Sequence, residues 1–155
     1  MHAAWNGHTA TVNALAGTHN ANVEAVDWSG WTALMYAAED GHTATVNALA
    51  GTYNANVDAV GHSGMTALMR AAEKGHTATV NALAGTYNAN VEAADENGWT
   101  ALMWATREGH TATVNALAGT YTANVDAVDQ SGMTALMYAW DDDIIDALYA
   151  LGASR

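Results

Sequence analysis

The residues of this 155-residue chain that could carry chemistry are seven histidines, sixteen carboxylates and four serines. Four of the histidines, His8, His42, His76 and His110, recur every 34 residues, which raises the question of a shared metal ion. Metal–imidazole bonds are about 2 Å long, whereas packed helices lie roughly 8–10 Å apart, so side chains from successive copies of a unit do not converge on one ion. The spacing assigns these rings instead to satisfying backbone groups at a turn. His19 and His62 are singletons expected at the surface. Asp141-Asp142-Asp143 lacks the spaced oxygens of a calcium loop and reads as a solvated helix cap. Ser29, Ser63 and Ser131 share one loop place and Ser154 lies at the tail, none of them in a nucleophile elbow or a Ser-His-Asp pattern. The glycines never form G-x-G-x-x-G, and without cysteine there is no thiol nucleophile or disulfide. Catalysis needs one asymmetric pocket, whereas repeated residues supply a surface. The expectation is a chain that is not an enzyme and uses no cofactor and no metal.

The elements that must position these residues are repeated. GHTATVNALAG begins at Gly7, Gly41, Gly75 and Gly109, and G-[WM]-T-A-L-M begins at Gly30, Gly64, Gly98 and Gly132. A-N-V-[DE]-A begins at Ala21, Ala55, Ala89 and Ala123, so one supersecondary unit is stacked about five times. In the copy from Gly30 to Ser63, Thr32 is a hydroxyl N-cap before strong helix formers, with Leu34 and Ala38 on one face. Gly41 stops that helix. Thr43 is expected to cap a second one, in which Val46, Leu49 and Ala50 form a buried stripe and which Gly51 ends. Asn54 to Gly64 then reads as a loop. No copy can bury its stripe alone, so the copies must stack.

G-W-T-A-L-M-Y-A-A-E-D-G-H resembles the G-x-T-P-L-H-x-A-A-x-x-G-H of the ankyrin repeat family, and V-N-A-L with A-N-V-D-A is similar to its second helix and the run into its hairpin loop. Ala33 and Met35 stand where that family has proline and histidine. The period is 34 against about 33 in the family, with the extra residue near Gly51-Thr52-Tyr53-Asn54. The tetratricopeptide repeat shares the length, but its Trp, Tyr and late Pro pattern is missing. The resemblance implies an all-α helix-turn-helix-loop solenoid, one domain over 1–155, with copies at roughly 1–29, 30–63, 64–97, 98–131 and 132–155. The first copy lacks its G-x-T-A-L opening. The last drops three residues and ends in a different helix, Ile144-Ile145-Asp146-Ala147-Leu148, as a cap would.

Differences between copies concentrate in two stretches, the loop with the residue after its glycine and the second half of the first helix. The resemblance implies that loop tips and first helices line a concave face that grips a protein or peptide. The expected contact residues are Trp28, Trp31, Tyr36, His62, Met65, Arg70, Trp99, Trp104, Arg107, Met133 and Tyr138. Trp, Tyr and Arg dominate interface energetics, and these rings lie outside the repeated framework, so their removal is expected to cost little stability.

Four basic residues stand against sixteen acids, for a net charge of −12, which disfavours nucleic acid and anionic membrane surfaces and suits a basic partner. Negative surplus also serves solubility. No apolar run approaches the roughly 20 residues of a membrane span, and Met1-His2 opens no secretory signal, so the expected location is cytoplasmic. A monomer is expected. The alternatives are homotypic assembly through the unfinished first copy, or a duplicated or designed scaffold without a natural ligand.

Overall fold

A computed structural model describes residues 1–154. The chain runs through successive pairs of short helices: α1 (His2–Trp5) and α2 (Thr9–Asn13), α3 (Ala33–Glu39) and α4 (Thr43–Asn47), α5 (Ala67–Glu73) and α6 (Thr77–Val80), α7 (Ala101–Arg107) and α8 (Thr111–Val114), α9 (Ala135–Tyr138) and α10 (Asp142–Ala150). Among the described residues there is no strand, only isolated bridges pairing Ala94 with Thr100 and Val128 with Thr134. The molecule is an all-α repeat solenoid.

Thr32, Thr66 and Thr100 cap the first helices as expected, each hydroxyl accepting from the N–H of Met35, Met69 and Met103 at 3.3, 3.3 and 3.4 Å. The expected cap of the second helix is corrected: His42 occupies the N-cap, and its side chain makes no capping bond. The Thr43 hydroxyl reaches sideways, 2.8 Å from that of Thr79. Thr9 with Thr45, and Thr77 with Thr113, repeat this at 2.7 and 2.9 Å, so the hydroxyls tie copy to copy. Leu34, Leu68 and Leu102 with Val46, Val80 and Val114 are fully buried between copies, each burial stabilising by about 2 kcal/mol.

The second helices do not end at Gly51 and its equivalents, a second correction. They continue as π-helical turns over Ala48–Thr52, Asn81–Thr86 and Asn115–Thr120, with Tyr53 N–H donating to the Ala48 carbonyl five residues back at 3.1 Å. The wide turn absorbs the extra residue of the 34-residue period. Chain reversal falls to Asn54, in the left-handed region at φ 51°. Gly51 serves packing instead: a Cβ there would stand 2.9 Å from the hydroxyl of Tyr87, which donates to Asn47 Oδ1 at 3.1 Å.

The two ends differ. Asp141 Oδ1 accepts from the N–H groups of Asp143 and Ile144 at 2.9 and 3.3 Å, and α10 buries Ile144 and Leu148 completely. At the other end Leu15 is 44% exposed, beside an apolar hollow of about 60 Å³ that also touches Val12, Val23 and Leu49.

Candidate functional site

Three of the four variable loops are closed by a carboxylate. Asp27 Oδ1 accepts from the N–H groups of Ser29 and Trp31 at 2.8 and 2.9 Å, and Asp95 and Asp129 hold Asn97/Trp99 and Ser131/Met133 in the same way. The second oxygen turns to a ring on the following helix, nine residues on. Asp27 Oδ2 accepts from Tyr36 at 2.6 Å, Asp95 Oδ2 from the Trp104 indole at 3.2 Å, and Asp129 Oδ2 from the Tyr138 hydroxyl. The Tyr36 and Tyr138 hydroxyls hold the Asp27 and Asp129 carboxyls below the usual carboxylate range, and each tyrosine is raised above its own usual value by the same bond. The copy with Arg70 in the ring place has Gly61 in the carboxylate place. Loop and helix therefore vary together.

The anchored rings gather into two clusters. Trp31 lies 4.9 Å from Tyr36, Tyr36 lies 6.0 Å from Trp5, and the Arg70 guanidinium covers Trp31 at 4.1 Å. Trp99 lies 4.8 Å from Trp104 and 4.3 Å from Tyr138, while Arg107 sits 4.9 and 4.4 Å from the Trp99 and Trp104 rings. Beside the second cluster is a cleft of about 350 Å³ reaching Asn97, Gln130 and Ser131. Such contacts pre-order large side chains at low entropic cost.

The structure thus brings Trp31, Tyr36 and Arg70 together, and Trp99, Trp104, Arg107 and Tyr138. Trp28, 89% exposed, stands apart at its loop tip, whereas the exposed His62 lays its ring over Gly30 of the preceding loop. Met133 is half-buried. Met65 is a correction: at 6% exposure it belongs to the core and offers no adaptable surface. The expectation that the tryptophans touch no framework is corrected as well, because Trp31, Trp99 and Trp104 pack against the core. Sequence reasoning missed Trp5 and the three anchoring aspartates. The signal was present in the matched change of loop acid and ring nine residues later.

Other variable residues are structural. The Trp140 indole donates to the Arg107 carbonyl at 2.8 Å and covers Gly109, as His110 Nε2 meets the Glu73 carbonyl at 2.9 Å and its ring covers Gly75. A carbonyl only accepts, so Nε2 of His110 carries the proton. The loop acids staple neighbours: Glu24, Asp58 and Glu92 each accept from the N–H of Asn56, Asn90 and Asn124 at 2.8 Å, and Asp126 accepts from Ser154 N–H at 2.8 Å. The bonds from Ser154 hold Asp126 below the usual carboxylate range. Among the described residues no three His, Asp or Glu side chains are grouped to hold a metal, and no helix is long and apolar enough to cross a membrane.

Paired helices stacked through uniform ladders, with loops and first helices free to differ, define a repeat solenoid. A family model for ankyrin repeats, itself three copies long, matches residues 1–95 and again 86–154. The chain belongs to the ankyrin repeat family, whose members are generally scaffolds for protein–protein interaction. A search of curated proteins finds no match to it.

Proposed function

We propose that this chain is a non-catalytic scaffold that holds a protein or peptide against its loops and first helices, with Trp31, Tyr36, Trp99, Trp104 and Tyr138 as rigid anchors and Arg70 and Arg107 as directed donors. The observation that carries this reading is the pair of aromatic–guanidinium clusters, each fixed to a loop carboxylate, on the stretches where differences between copies concentrate. Rigid rings with a polar handle are the residues that dominate interfaces, and pre-ordering lowers the cost of binding. A net charge of −12 supports a basic partner, although the stapling bonds of Glu24, Asp58, Glu92 and Asp126 give part of that charge a structural use.

The test is a displayed peptide library selected on the folded chain, followed by mapping of the bound peptides by NMR. Shifts of the Trp31, Trp99 and Trp104 indoles with unmoved methyls of Val46, Val80 and Val114 are expected. Selected peptides that map to the second helices, or no enrichment over a blank surface, would reject the reading. The apolar hollow beside Leu15 favours homotypic assembly as a second reading, which sedimentation at tens of micromolar would reject by finding a monomer.

A further inference from the structure

The first and the last junctions between copies are lined by the same four places: the ring place of one first helix, the residue three further on, the next loop's carboxylate place and the next ring place. Between the fourth and fifth copies these are Trp104, Arg107, Asp129 and Tyr138. Between the second and third copies Arg70 supplies a guanidinium, which covers Trp31. The first junction differs, being made of His2, Trp5, Asp27 and Tyr36 with no basic side chain beyond the imidazole.

That junction is hollow. A cleft of about 230 Å³ is walled by His2, Trp5, Tyr36 and Met1, with Asp27 beside them. His2 meets Trp5 edge-on at 5.9 Å, and Trp5 lies tilted by 39° to Tyr36. Asp27 Oδ1 is occupied by two backbone N–H groups, whereas among the described residues Oδ2 accepts from Tyr36 alone and has a lone pair to spare. Among the described residues the three ion pairs all involve Arg70, Lys74 or Arg107, and none reaches Asp27.

Resting on the binding reading above, we propose that this cleft receives the guanidinium of an arginine from a partner peptide, stacked on the Trp5–Tyr36 rings and donating to Asp27. The chain itself shows the chemistry, since Arg70 covers Trp31 and Arg107 covers Trp99 and Trp104. A planar guanidinium stacks on a ring while its edge donates to a carboxylate, which a spherical ammonium does less well. The charge of −12 draws such a peptide in.

The probe is a blocked peptide, Gly-Ser-Gly-Arg-Gly-Ser-Gly, titrated into the full chain alongside versions carrying citrulline or lysine in place of arginine. The readout is the indole N–H of Trp5, assigned by its loss in Trp5→Phe. The arginine peptide should move that signal, and the citrulline peptide, which keeps the shape without the charge, should bind at least about tenfold more weakly. With affinity read from the backbone N–H signals of Asp27 and Tyr36, which every variant keeps, Trp5→Ala should weaken the arginine peptide by about tenfold with melting nearly unchanged, while Trp5→Phe should retain most of the affinity. Equal binding of citrulline, equal binding of lysine, an unmoved Trp5 signal, or full affinity in a folded Trp5→Ala variant would each overturn the assignment. Shifts confined to Trp31, Trp99 or Trp104 would overturn this cleft while leaving the wider binding reading standing.

Discussion

Along the second helices, copies meet through the same residues at the same separations: threonine to threonine, tyrosine to the asparagine of the copy before, leucine and valine beneath. Along the loops and first helices the contacts change from copy to copy: tyrosine on aspartate at Tyr36–Asp27 and Tyr138–Asp129, but Arg70 across Trp31 and Trp104 on Asp95. Both sides stack the same units. The uniform side gains stability from nearest-neighbour terms that add along the stack. The variable side gives up that regularity for local clusters that make one end of the molecule chemically distinguishable from the other, which a partner needs if it is to bind in one register.

Truncating the uniform side should have the largest effect. Leu83→Ala, in the middle of the stack, should lower the unfolding free energy by about 3 kcal/mol in a denaturant titration, and a loss below about 1 kcal/mol would mean that the second helices do not dominate stability. The next effect separates two glycines at one repeat position. Gly51→Ala should cost about 1–2 kcal/mol by displacing the Tyr87 hydroxyl, whereas Gly119→Ala, where a Cβ would meet only Leu151 at 3.7 Å, should be neutral or gain about 0.5 kcal/mol. Equal effects would remove the tyrosine ladder from the account.

Thr122 is a third probe, because it holds the left-handed place of Asn54 at φ 54° with a β-branched side chain. Thr122→Asn should raise stability by about 1 kcal/mol, read as a shift in the denaturant midpoint. The smallest effect concerns pH and belongs to the loop side. Asp27, Asp126 and Asp129 are held below their ordinary range, so the folded state binds their protons more weakly than the unfolded chain. Their contribution is present above the ordinary carboxylate range and is lost as pH falls through the depressed values. Tyr36 and Tyr138 are raised, so their contribution is present below the ordinary tyrosine range and is lost as pH climbs through the raised values. Melting followed against pH should show both limbs; Asp126→Asn should flatten the acid one, and Tyr53→Phe should not alter it.

Much of this was legible in the residues. The recurrence of G-[WM]-T-A-L-M and GHTATVNALAG announces stacked helical pairs, and the hydroxyl of Thr32 marks a helix start. Gly51 and Thr43 were misread because their types suit a stop and a cap locally, while their actual partners, Tyr87 and Thr79, lie one copy away. Met65 looked like the equal of Trp31, and only packing shows it buried. Trp140 takes over the task that histidines perform elsewhere, which its residue type gives no hint of.

By itself the sequence determined the unit, its period and the family, because apolar spacing and capping act within a few residues of the chain. Tertiary structure alone decided which variable side chains are buried, which rings and guanidinium groups of different copies stack, and which stand open. Those outcomes depend on atoms roughly one repeat away, brought into contact only when neighbouring copies stack.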